Sequence, residues 1–526
     1  PFQTFLSTAR KPSPTAAKPV MSQGESAYNS DSEGSTASTV ADPTEEQIAQ
    51  SEEIKVEANK AFQEDHYVKA LELYTKALDL NGKSHILFAN RAFCHIKMEN
   101  YGSAIIDAAE AIRLDSSYIK AYFRRGTAYL ALGKLTHAKA DFREAVKINP
   151  KQKEARDKLA ECEKALRKER LDAARPREVM GSEAEKEMLA KTTSIQVEAS
   201  YVGPHLVNGV VTATFMEELI AHLKAEKRLH PKYAYQILYQ VREVLRREAT
   251  VVEVEVEQGT FLTVCGDVHG QFYDLVNIFD INGRPSKERP YLFNGDFVDR
   301  GSFGLETVLL LLGYKVLYPD HMHLNRGNHE TVNMNKMYGF EGEVVHKYGR
   351  DMMPLFTDIF QWLPLAHMIG RKVLVLHGGL FSRDDTTVDT IRQLDRHQEP
   401  PDEGPMTELL WSDPGRLMGR QPSKRGVGVA FGPDVAERFL NANRLSLLIR
   451  SHECKDEGYE IEHGGKTITV FSAPNYCDQM GNKGAFIQLA PDLEPKYTSF
   501  TAVPHPAVRP LQYAGLGGFN LFNLFK

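Results

Sequence analysis

Six short motifs in the C-terminal two-thirds of the chain contain side chains that bind metal ions and transfer protons. In order they are Gly266-Asp267-Val268-His269-Gly270, Gly295-Asp296-Phe297-Val298-Asp299-Arg300-Gly301, Gly327-Asn328-His329-Glu330, His377-Gly378-Gly379, Arg450-Ser451-His452-Glu453 and Ser472-Ala473-Pro474-Asn475-Tyr476-Cys477. One such motif alone is weak evidence, because Asp-x-His occurs by chance in many proteins. All six in this order indicate a single site.

Each of the first five motifs follows an apolar run that predicts a buried strand. These runs are Phe261 to Cys265, Tyr291 to Asn294, His321 to Leu324, Val373 to Leu376 and Leu447 to Ile449. In α/β sheets, ligands bind where the loops at the carboxyl ends of strands converge. We therefore expect the motif side chains to lie close together.

The converging side chains are carboxylates, imidazoles and one amide. They are Asp267, His269, Asp296, Asn328, His377 and His452. This mixed oxygen and nitrogen set suits manganese, iron or zinc better than calcium. Six ligands are too many for one ion with an open position, but they fit two ions that share a carboxylate, for which we choose Asp296. Two ions roughly 3.5–4 Å apart can clamp a phosphoryl group for in-line displacement.

Other motif residues suit the proton and phosphate chemistry that such a site needs. His329 directly follows a predicted ligand and is the candidate general acid for a leaving alkoxide. Asp299 could hydrogen-bond His329 and keep it charged. Arg300 can bind two phosphoryl oxygens at once. Arg425 is a second candidate of this kind, although its local sequence carries no such signal.

The motifs resemble the metallophosphatase fold family and, within it, the serine/threonine phosphoprotein phosphatases. Leu410-Trp411-Ser412-Asp413-Pro414 and Phe431-Gly432-Pro433-Asp434-Val435 strengthen the resemblance, which extends from about Val197 to Tyr513. It implies an α/β domain, a calcineurin-like β-sandwich flanked by helices. It also implies two divalent ions (Mn, Fe or Zn) and hydrolysis of phosphoserine and phosphothreonine in protein substrates.

The resemblance also implies a role for each motif residue. One ion would be held by Asp267, His269 and Asp296, and the other by Asp296, Asn328, His377 and His452. Phosphate or substrate contacts would come from Arg300, Asn328, Arg425 and Tyr476, and the acid pair from His329 and Asp299. None of these positions is altered, which argues against a catalytically dead relative.

The N-terminal third repeats with a period of 34 residues, from about Ser51 to Gln152. Small residues recur at Ala58, Ala92 and Gly126, where paired antiparallel helices approach closely. The period and pattern are those of the tetratricopeptide repeat. Three repeats predict a short all-α superhelix with a concave face.

Cations and amides on the first helix of each repeat predict a site for carboxylates. They are Lys55, Asn59, Asn90, Lys97, Lys120 and Arg124. The set resembles the clamp with which such domains hold the C-terminal Met-Glu-Glu-Val-Asp of heat-shock protein 90. Glu99, between the helices of the second repeat, matches the family position that enters the catalytic cleft and inhibits it.

Composition sets the remaining expectations. The net charge is −6, which gives no electrostatic case for nucleic-acid binding. No run is long and apolar enough to predict a membrane span. Five sparse cysteines indicate reduced thiols, so we expect a protein of the cytoplasm and nucleus. We also expect a monomer.

Five segments are predicted. They are a disordered N-terminal extension (1–45), three tetratricopeptide repeats (46–152), a charged helix and linker (153–196), the phosphatase domain (197–513) and a C-terminal tail (514–526). We favour disorder over a targeting segment for 1–45, although its first 23 residues lack acidic side chains.

Two other functions stay open at this point. The domain could act on a non-protein phosphate ester, such as a dinucleotide or a nucleic acid, which the Leu410–Pro414 and Ser472–Cys477 segments disfavour. The chain could also be a repeat-based adaptor with vestigial catalysis, which the intact ligand set opposes.

Overall fold

The computed structural model describes residues 42–64, 66–174, 194–508 and 512–514. The chain divides into two compact units, Pro1–Pro43 and Thr44–Lys526, and the elements below belong to the second. Most of the predicted extension 1–45, the later part of the predicted linker 153–196 and nearly all of the predicted tail 514–526 lie outside the described residues.

Seven consecutive helices form the N-terminal part of the described chain. They are α1 (Glu45–Gln63), α2 (Tyr67–Leu80), α3 (His85–Lys97), α4 (Tyr101–Leu114), α5 (Ile119–Ala131), α6 (Leu135–Ile148) and α7 (Lys153–Ala174). Helix α1 packs on α2, α3 on α4 and α5 on α6, and each pair also contacts the next. This stack of helix pairs is the predicted all-α superhelix.

Two partly buried ion pairs repeat with the helices. The Arg91 guanidinium donates two hydrogen bonds of 2.8 Å to the Asp107 carboxylate. Arg125 donates bonds of 2.9 and 2.7 Å to Asp141 in the same way, one repeat later. Each pair ties the first helix of a repeat to its second helix. A bidentate pair of this kind adds geometric specificity to helix packing.

The C-terminal part of the described chain is built on fourteen strands. They are β1 (Val251–Val254), β2 (Leu262–Cys265), β3 (Tyr291–Phe293), β4 (Met322–Leu324), β5 (Ala366–Ile369), β6 (Val373–Leu376), β7 (Asp413–Pro414), β8 (Arg420–Pro422), β9 (Val429–Phe431), β10 (Leu447–Arg450), β11 (Tyr459–Glu462), β12 (Thr467–Val470), β13 (Gly484–Leu489) and β14 (Pro495–Phe500). A six-stranded sheet has the order β1-β5-β6-β10-β12-β11, and a five-stranded sheet has the order β14-β13-β2-β3-β4. A small third sheet has the order β7-β9-β8.

Helices cover the two large sheets. They are α8 (Ala213–Lys224), α9 (Pro231–Leu245), α10 (Phe272–Asn282), α11 (Gly304–Leu317), α12 (Val332–Tyr338), α13 (Phe340–Tyr348), α14 (Met353–Trp362), α15 (Val388–Arg392), α16 (Pro405–Trp411) and α17 (Pro433–Ala442). Short 3-10 turns occur at Val207–Gly209, Arg350–Met352, His463–Gly465 and Tyr476–Asp478. Within the described ranges, no helix has both the length and the apolarity that crossing a bilayer requires.

The two large sheets pack face to face and bury an apolar layer between them. Val264 and Leu292 of the five-stranded sheet lie in one cluster with Val375 and Ile449 of the six-stranded sheet. Successive residues of a strand point to opposite faces. Leu374 therefore belongs to a different cluster, on the helix-covered outer face of the six-stranded sheet. The result is the predicted β-sandwich flanked by helices.

The strand directions explain why the motif loops meet. Strands β2, β3 and β4 are parallel neighbours, with Cys265 opposite Phe293 and Phe293 opposite Leu324. Strands β6 and β10 are parallel neighbours in the other sheet. An isolated parallel bridge between Asp267 and Phe471, just after β2 and β12, joins the two sheets. It shows that all five strands end at the same edge of the sandwich.

Candidate active site

The six predicted metal ligands follow the ends of five strands. Asp267 and His269 follow β2, Asp296 follows β3, Asn328 follows β4, His377 follows β6 and His452 follows β10. All six are buried. The ligand atoms fall into two groups, and within each group they lie within 4.8 Å of one another. One group contains His269, Asp296 and His329, and the other contains Asp296, His377 and His452. Asp296 is the member that both groups share.

The Asp296 carboxylate lies between imidazoles from the two sheets. Its Oδ2 atom is 3.5 Å from His269 Nε2 and 3.4 Å from His377 Nε2. Asp267 completes the first side, with Oδ2 at 3.7 Å from His269 Nε2. This arrangement is the one expected of a carboxylate that serves two cations.

The second side brings together electron-pair donors. His377 Nε2 lies 2.9 Å from Asn328 Oδ1 and 3.2 Å from His452 Nδ1. His377 Nδ1 lies 2.8 Å from the Asn294 carbonyl oxygen, and a carbonyl can only accept, so this nitrogen carries a proton. In a neutral His377 the Nε2 lone pair therefore faces the other donors, a set that a cation satisfies.

The charges of the site agree with cation binding. Burial alone would lower the pKa of His377, but the Asp296 carboxylate raises it to about 9. Burial and the neighbouring Asp296 charge raise the pKa of Asp267 to about 6. Buried carboxylates repel each other unless a positive charge lies between them. The donor set therefore fits divalent ions of the nitrogen- and oxygen-binding class.

His329 and Asp299 form the predicted pair. His329 Nδ1 lies 2.9 Å from Asp299 Oδ2. Asp299 also accepts hydrogen bonds from Asn335 Nδ2 at 3.1 Å and from the Phe340 amide at 2.9 Å. Burial lowers the pKa of His329 and raises the pKa of Asp299. The carboxylate charge that opposes this effect of burial on the pKa of His329 is that of Asp296.

Arg300 and Arg425 lie at the rim of the site in different environments. The Arg300 guanidinium stacks on the Tyr338 ring, 3.7 Å from its centroid, and forms an ion pair with Glu99. Arg425 donates to Asp413 Oδ2 at 2.6 Å and to the His452 carbonyl at 2.8 Å. Arg425 is therefore held next to a predicted ligand, which its local sequence did not indicate.

Tyr476 also lies against the predicted metal ligands, with its ring 5.1 Å from that of His269.

The backbone is strained at several positions of the site. His269, Asp296, Asp299, Arg300 and His452 have φ of 41°, 52°, 69°, 70° and 70°. Each such conformation costs about 1–3 kcal/mol and persists only where surrounding contacts impose it.

Glu330 supplies contacts of that kind, and sequence reasoning did not assign it a role. Its Oε2 atom accepts the amide hydrogens of Asp296 and Gly327, and its Oε1 atom accepts that of Phe297, all at 2.8 Å. Glu330 thus joins the loops after β3 and β4. Its place beside His329 in the third motif was the available signal, but two of its three partners, Asp296 and Phe297, lie more than 30 residues away in sequence.

Four of the six predicted clamp residues meet on one face of the repeats. Asn90 Nδ2 lies 3.4 Å from Asn59 Oδ1, and Arg124 Nη1 donates to Asn90 Oδ1 at 3.1 Å. Arg124 and Lys97 both lie over the Phe93 ring, at 4.8 and 5.8 Å from its centroid.

The remaining two clamp residues are less closely tied to this face. Lys55 forms an ion pair with Glu52. Lys120 is exposed on α5, one turn before Arg124.

The repeat helices dock on the rim of the catalytic site. Besides the Glu99–Arg300 pair, the Tyr101 hydroxyl hydrogen-bonds that of Tyr338. The Ser103 amide donates to the Lys424 carbonyl at 3.1 Å. Ile96 and Tyr101 share an apolar cluster with Met334, Met337 and Tyr338.

Gly102 makes the closest of these approaches. A Cβ atom at Gly102 would lie 2.4 Å from the Gly426 amide nitrogen and 2.5 Å from the Ser423 carbonyl oxygen. No side chain larger than hydrogen fits there without moving one domain away from the other.

Comparison with known proteins gives the class first. Residues 262–456 match a family model described as calcineurin-like phosphoesterase, and residues 119–152 match one described as tetratricopeptide repeat. Residues 159–253, which join these two regions, match a model described as PPP5 TPR repeat region. The fold and site therefore define a metallophosphoesterase preceded by tetratricopeptide repeats, a family that binds divalent metal ions.

Relatives along most of the chain narrow this class. Serine/threonine-protein phosphatase 5 of Rattus norvegicus is 51% identical over 475 residues, 90% of this chain and 94% of its own. Serine/threonine-protein phosphatase T of Trypanosoma brucei brucei is 47% identical over 477 residues, 90% of this chain and 99% of its own.

A solved phosphatase structure is also similar to this chain. A Saccharomyces cerevisiae protein serine/threonine phosphatase, described as similar to human phosphatase PP5, has 42% identity and a TM-score of 0.56. It covers 57% of this chain and 100% of its own. The chain belongs to the serine/threonine-protein phosphatase 5 family and is a serine/threonine-specific phosphoprotein phosphatase.

We expect Glu330→Gln to weaken the site more than the fold. The carboxamide would turn its NH₂ group towards at least one backbone N–H, which leaves a buried donor without a partner. A lost partner of a ligand typically lowers metal affinity or activity about 10–100-fold. Turnover and metal affinity should be measured together with thermal unfolding.

Glu343→Gln is the matched control. Glu343 is also a buried carboxylate that accepts two backbone amides, of Gly304 and Leu305, but neither amide belongs to a predicted ligand. Equal metal affinity in the two variants would contradict the role of Glu330.

Proposed function

We propose that this phosphatase hydrolyses phosphoserine and phosphothreonine with two divalent ions, Mn, Fe or Zn. Asp267, His269 and Asp296 would hold one ion, and Asp296, Asn328, His377 and His452 the other. The position of Asp296 Oδ2, about equally far from His269 Nε2 and His377 Nε2, carries this proposal. The ions would supply Lewis-acid activation of the phosphate ester and of the attacking water.

The residues around this set would bind the substrate and move a proton. Arg300 and Arg425 would bind phosphoryl oxygens, with Asn328 and Tyr476 as further contacts. His329 would donate a proton to the leaving serine or threonine oxygen, and Asp299 would keep the imidazole oriented and charged. The 2.9 Å distance between His329 Nδ1 and Asp299 Oδ2 supports this division of roles.

The ligand assignment is tested by Asp267→Asn and His269→Gln. Each removes a donor from the first ion, so we expect loss of most activity and of about one ion per chain, while the repeats stay folded. Asp280→Asn is a control, because Asp280 lies at the surface and pairs with Arg284. Normal turnover with an unchanged metal content in either variant would contradict the assignment of Asp267 and His269 as metal ligands.

The acid is tested by His329→Gln on two substrates. We expect the rate on a phosphoserine peptide to fall about 10²–10⁴-fold, the usual range for general acid–base catalysis. The fall should be smaller for p-nitrophenyl phosphate, whose leaving group needs no proton. His463→Gln, which removes an imidazole bound to Thr467 and Gly415, should leave both rates unchanged. Equal losses on both substrates would mean that His329 does not act as the acid.

We further propose that the repeats bind the C-terminal peptide of heat-shock protein 90. Asn59, Asn90 and Arg124 are hydrogen-bonded across three first helices, and Lys97 lies over the same Phe93 ring as Arg124. Cations beside amides suit a peptide that ends in a carboxylate and carries acidic side chains. Lys55 and Lys120 extend the positive charge along this face.

Binding should disappear in the double variant Lys120→Ala, Arg124→Ala. A peptide ending in Met-Glu-Glu-Val-Asp would lose two of its cationic partners, whereas basal phosphatase activity would be unaffected. The matched control is Lys139→Ala with Arg143→Ala, the same pair of residue types at the same spacing on α6, where both face Glu163. Calorimetry that finds the same affinity in the two double variants would reject the clamp.

We also propose that the repeat domain inhibits the enzyme in the docked arrangement. The Glu99 carboxylate forms an ion pair with the Arg300 guanidinium, which the proposed reaction needs for binding the phosphate. Such a pair gains charge-assisted hydrogen bonds, but the cost of removing both charges from water limits its net contribution. The inhibition should therefore be reversible by a partner that binds the repeats.

Gly102→Ala tests the inhibition without changing a charge at the site. The methyl group cannot fit against Gly426 and Ser423, so docking should fail while α4 keeps its fold. We expect about tenfold higher basal turnover, equivalent to ~1.4 kcal/mol of lost docking, and a similar increase for Glu99→Ala.

Glu144→Ala, which removes a glutamate at the α6 surface, should have no such effect. If the unsubstituted chain is already as active as Gly102→Ala and as a chain beginning at Val197, the inhibition proposal is wrong.

The five cysteines support a proposed location in the cytoplasm and nucleus. All five are free thiols, and Cys94, Cys162 and Cys265 are buried. Chains that fold in oxidising compartments usually pair their cysteines.

A further inference from the structure

Asn294 is a polar residue in the apolar layer between the two large sheets. It follows β3 directly, has no exposed surface, and precedes Asp296 by two residues. Leu292, two residues earlier in the chain, packs with the valines and isoleucines of both sheets. Burying an amide in such a layer is costly unless all its donors and acceptors are paired. The partners of Asn294 therefore indicate what the residue does.

Both amide hydrogens of Asn294 reach across to the opposite sheet. Its Nδ2 atom donates to the Leu376 carbonyl and to Ser451 Oγ, each at 2.8 Å. Leu376 directly precedes His377, and Ser451 directly precedes His452. One side chain thus holds the residues before two predicted ligands that come from different strands.

The main chain of Asn294 binds the same site. Its carbonyl oxygen accepts from His377 Nδ1 at 2.8 Å, and its amide donates to the Cys265 carbonyl at 2.9 Å. The first bond fixes the rotation of the His377 ring and leaves Nε2 facing Asp296. Asn294 is therefore connected to Asp296 through the chain, to His377 directly and to His452 through Ser451.

A second buried asparagine fixes the orientation of the first. Asn325 Nδ2 donates to Asn294 Oδ1 at 2.7 Å and to the Val375 carbonyl at 3.1 Å. His367 Nδ1 lies 2.7 Å from Asn325 Oδ1, which can only accept. Because Asn294 Oδ1 accepts from Asn325, the Nδ2 atom of Asn294 points to the six-stranded sheet. The pair forms a polar bridge between the sheets, directly below the metal set.

We propose that Asn294, oriented by Asn325, is a positioning residue for the second metal ion. It would set the spacing between Asp296, contributed by one sheet, and His377 and His452, contributed by the other. This inference rests on the proposed two-ion function. It differs from the role of Glu330, which joins two loops of the same sheet, because the asparagine bridge acts between the sheets. The ion held by Asp267 and His269 should depend on it much less.

The test is a manganese titration of the full-length protein after removal of its metal by a chelator, with free Mn²⁺ followed by electron paramagnetic resonance. We expect the unsubstituted protein to bind two ions. Asn294→Leu should bind one ion normally and the other with a dissociation constant about 10–100-fold higher. Its phosphatase activity should return at saturating Mn²⁺, which a general loss of folding would not allow.

Asn282→Leu is the matched control. Asn282 also uses its side-chain amide to link elements, with Thr263 and Tyr291 as acceptors, but neither partner adjoins a predicted ligand. It should lose thermal stability without a change in either dissociation constant. Ser451→Ala removes one of the Asn294 bonds with little change in volume, and should weaken the same ion to a smaller extent. That variant decides the question if Asn294→Leu does not fold.

The possible failures can be told apart. Fewer than two bound ions in the unsubstituted protein would overturn the two-ion function, and the positioning role with it. Two ions in the unsubstituted protein, with both dissociation constants unchanged in Asn294→Leu or Ser451→Ala, would overturn the positioning role alone.

Discussion

The Asp296 carboxylate faces imidazoles from both sheets of the sandwich, and the rest of the catalytic domain depends on keeping it there. Asp296 is buried close to a second carboxylate, Asp267, whose pKa is raised by burial and by the Asp296 charge. Burial opposes the ionised form, but the surrounding imidazoles, His377 first, keep the pKa of Asp296 below its ordinary value. A site of this kind binds cations because the fold forces electron-pair donors together.

Holding donors together has a structural cost that is visible in the backbone. Asp296, His269 and His452 all have positive φ, which residues with side chains rarely adopt. Two polar contacts oppose relaxation of the loops. Glu330 binds three backbone amides across the loops after β3 and β4, and Asn294 bridges to the strand ends of the opposite sheet. The apolar layer between the sheets supplies the rigid support for both.

The same rim serves the repeat domain. Arg300 lies beside the metal set, stacked on Tyr338, and carries a charge that a phosphate or a carboxylate can neutralise. Glu99 uses this property in the docked arrangement. Gly102 and Ser103 fix the approach through the loop that carries Arg425. In the proposed function, substrate binding and domain docking would compete for one arginine, and this competition is the basis of the proposed inhibition.

The candidate ligands, the candidate acid pair and the repeats could be proposed from the sequence, because each belongs to a local pattern. Strand-like runs ending in Asp, Asn or His locate the ligands, and the 34-residue period locates the helices. The supporting contacts could not be predicted in this way. Asn294 meets Ser451 across 157 residues, and Glu330 meets Asp296 across 34, so neither pairing leaves a local pattern. The Arg91–Asp107 pair and its copy one repeat later do recur at the repeat period, but charged helix residues usually face water.

The central claim is that Asp296 is shared by two metal ions. The most direct measurement is the electron paramagnetic resonance spectrum of the metal-stripped protein reloaded with two equivalents of Mn²⁺, compared with that of Asp296→Asn. A shared carboxylate predicts a spectrum of two magnetically coupled ions, which the substitution converts to that of isolated ions or of a single ion. A spectrum of isolated ions in the unsubstituted protein, at full occupancy and with full activity, would contradict the claim.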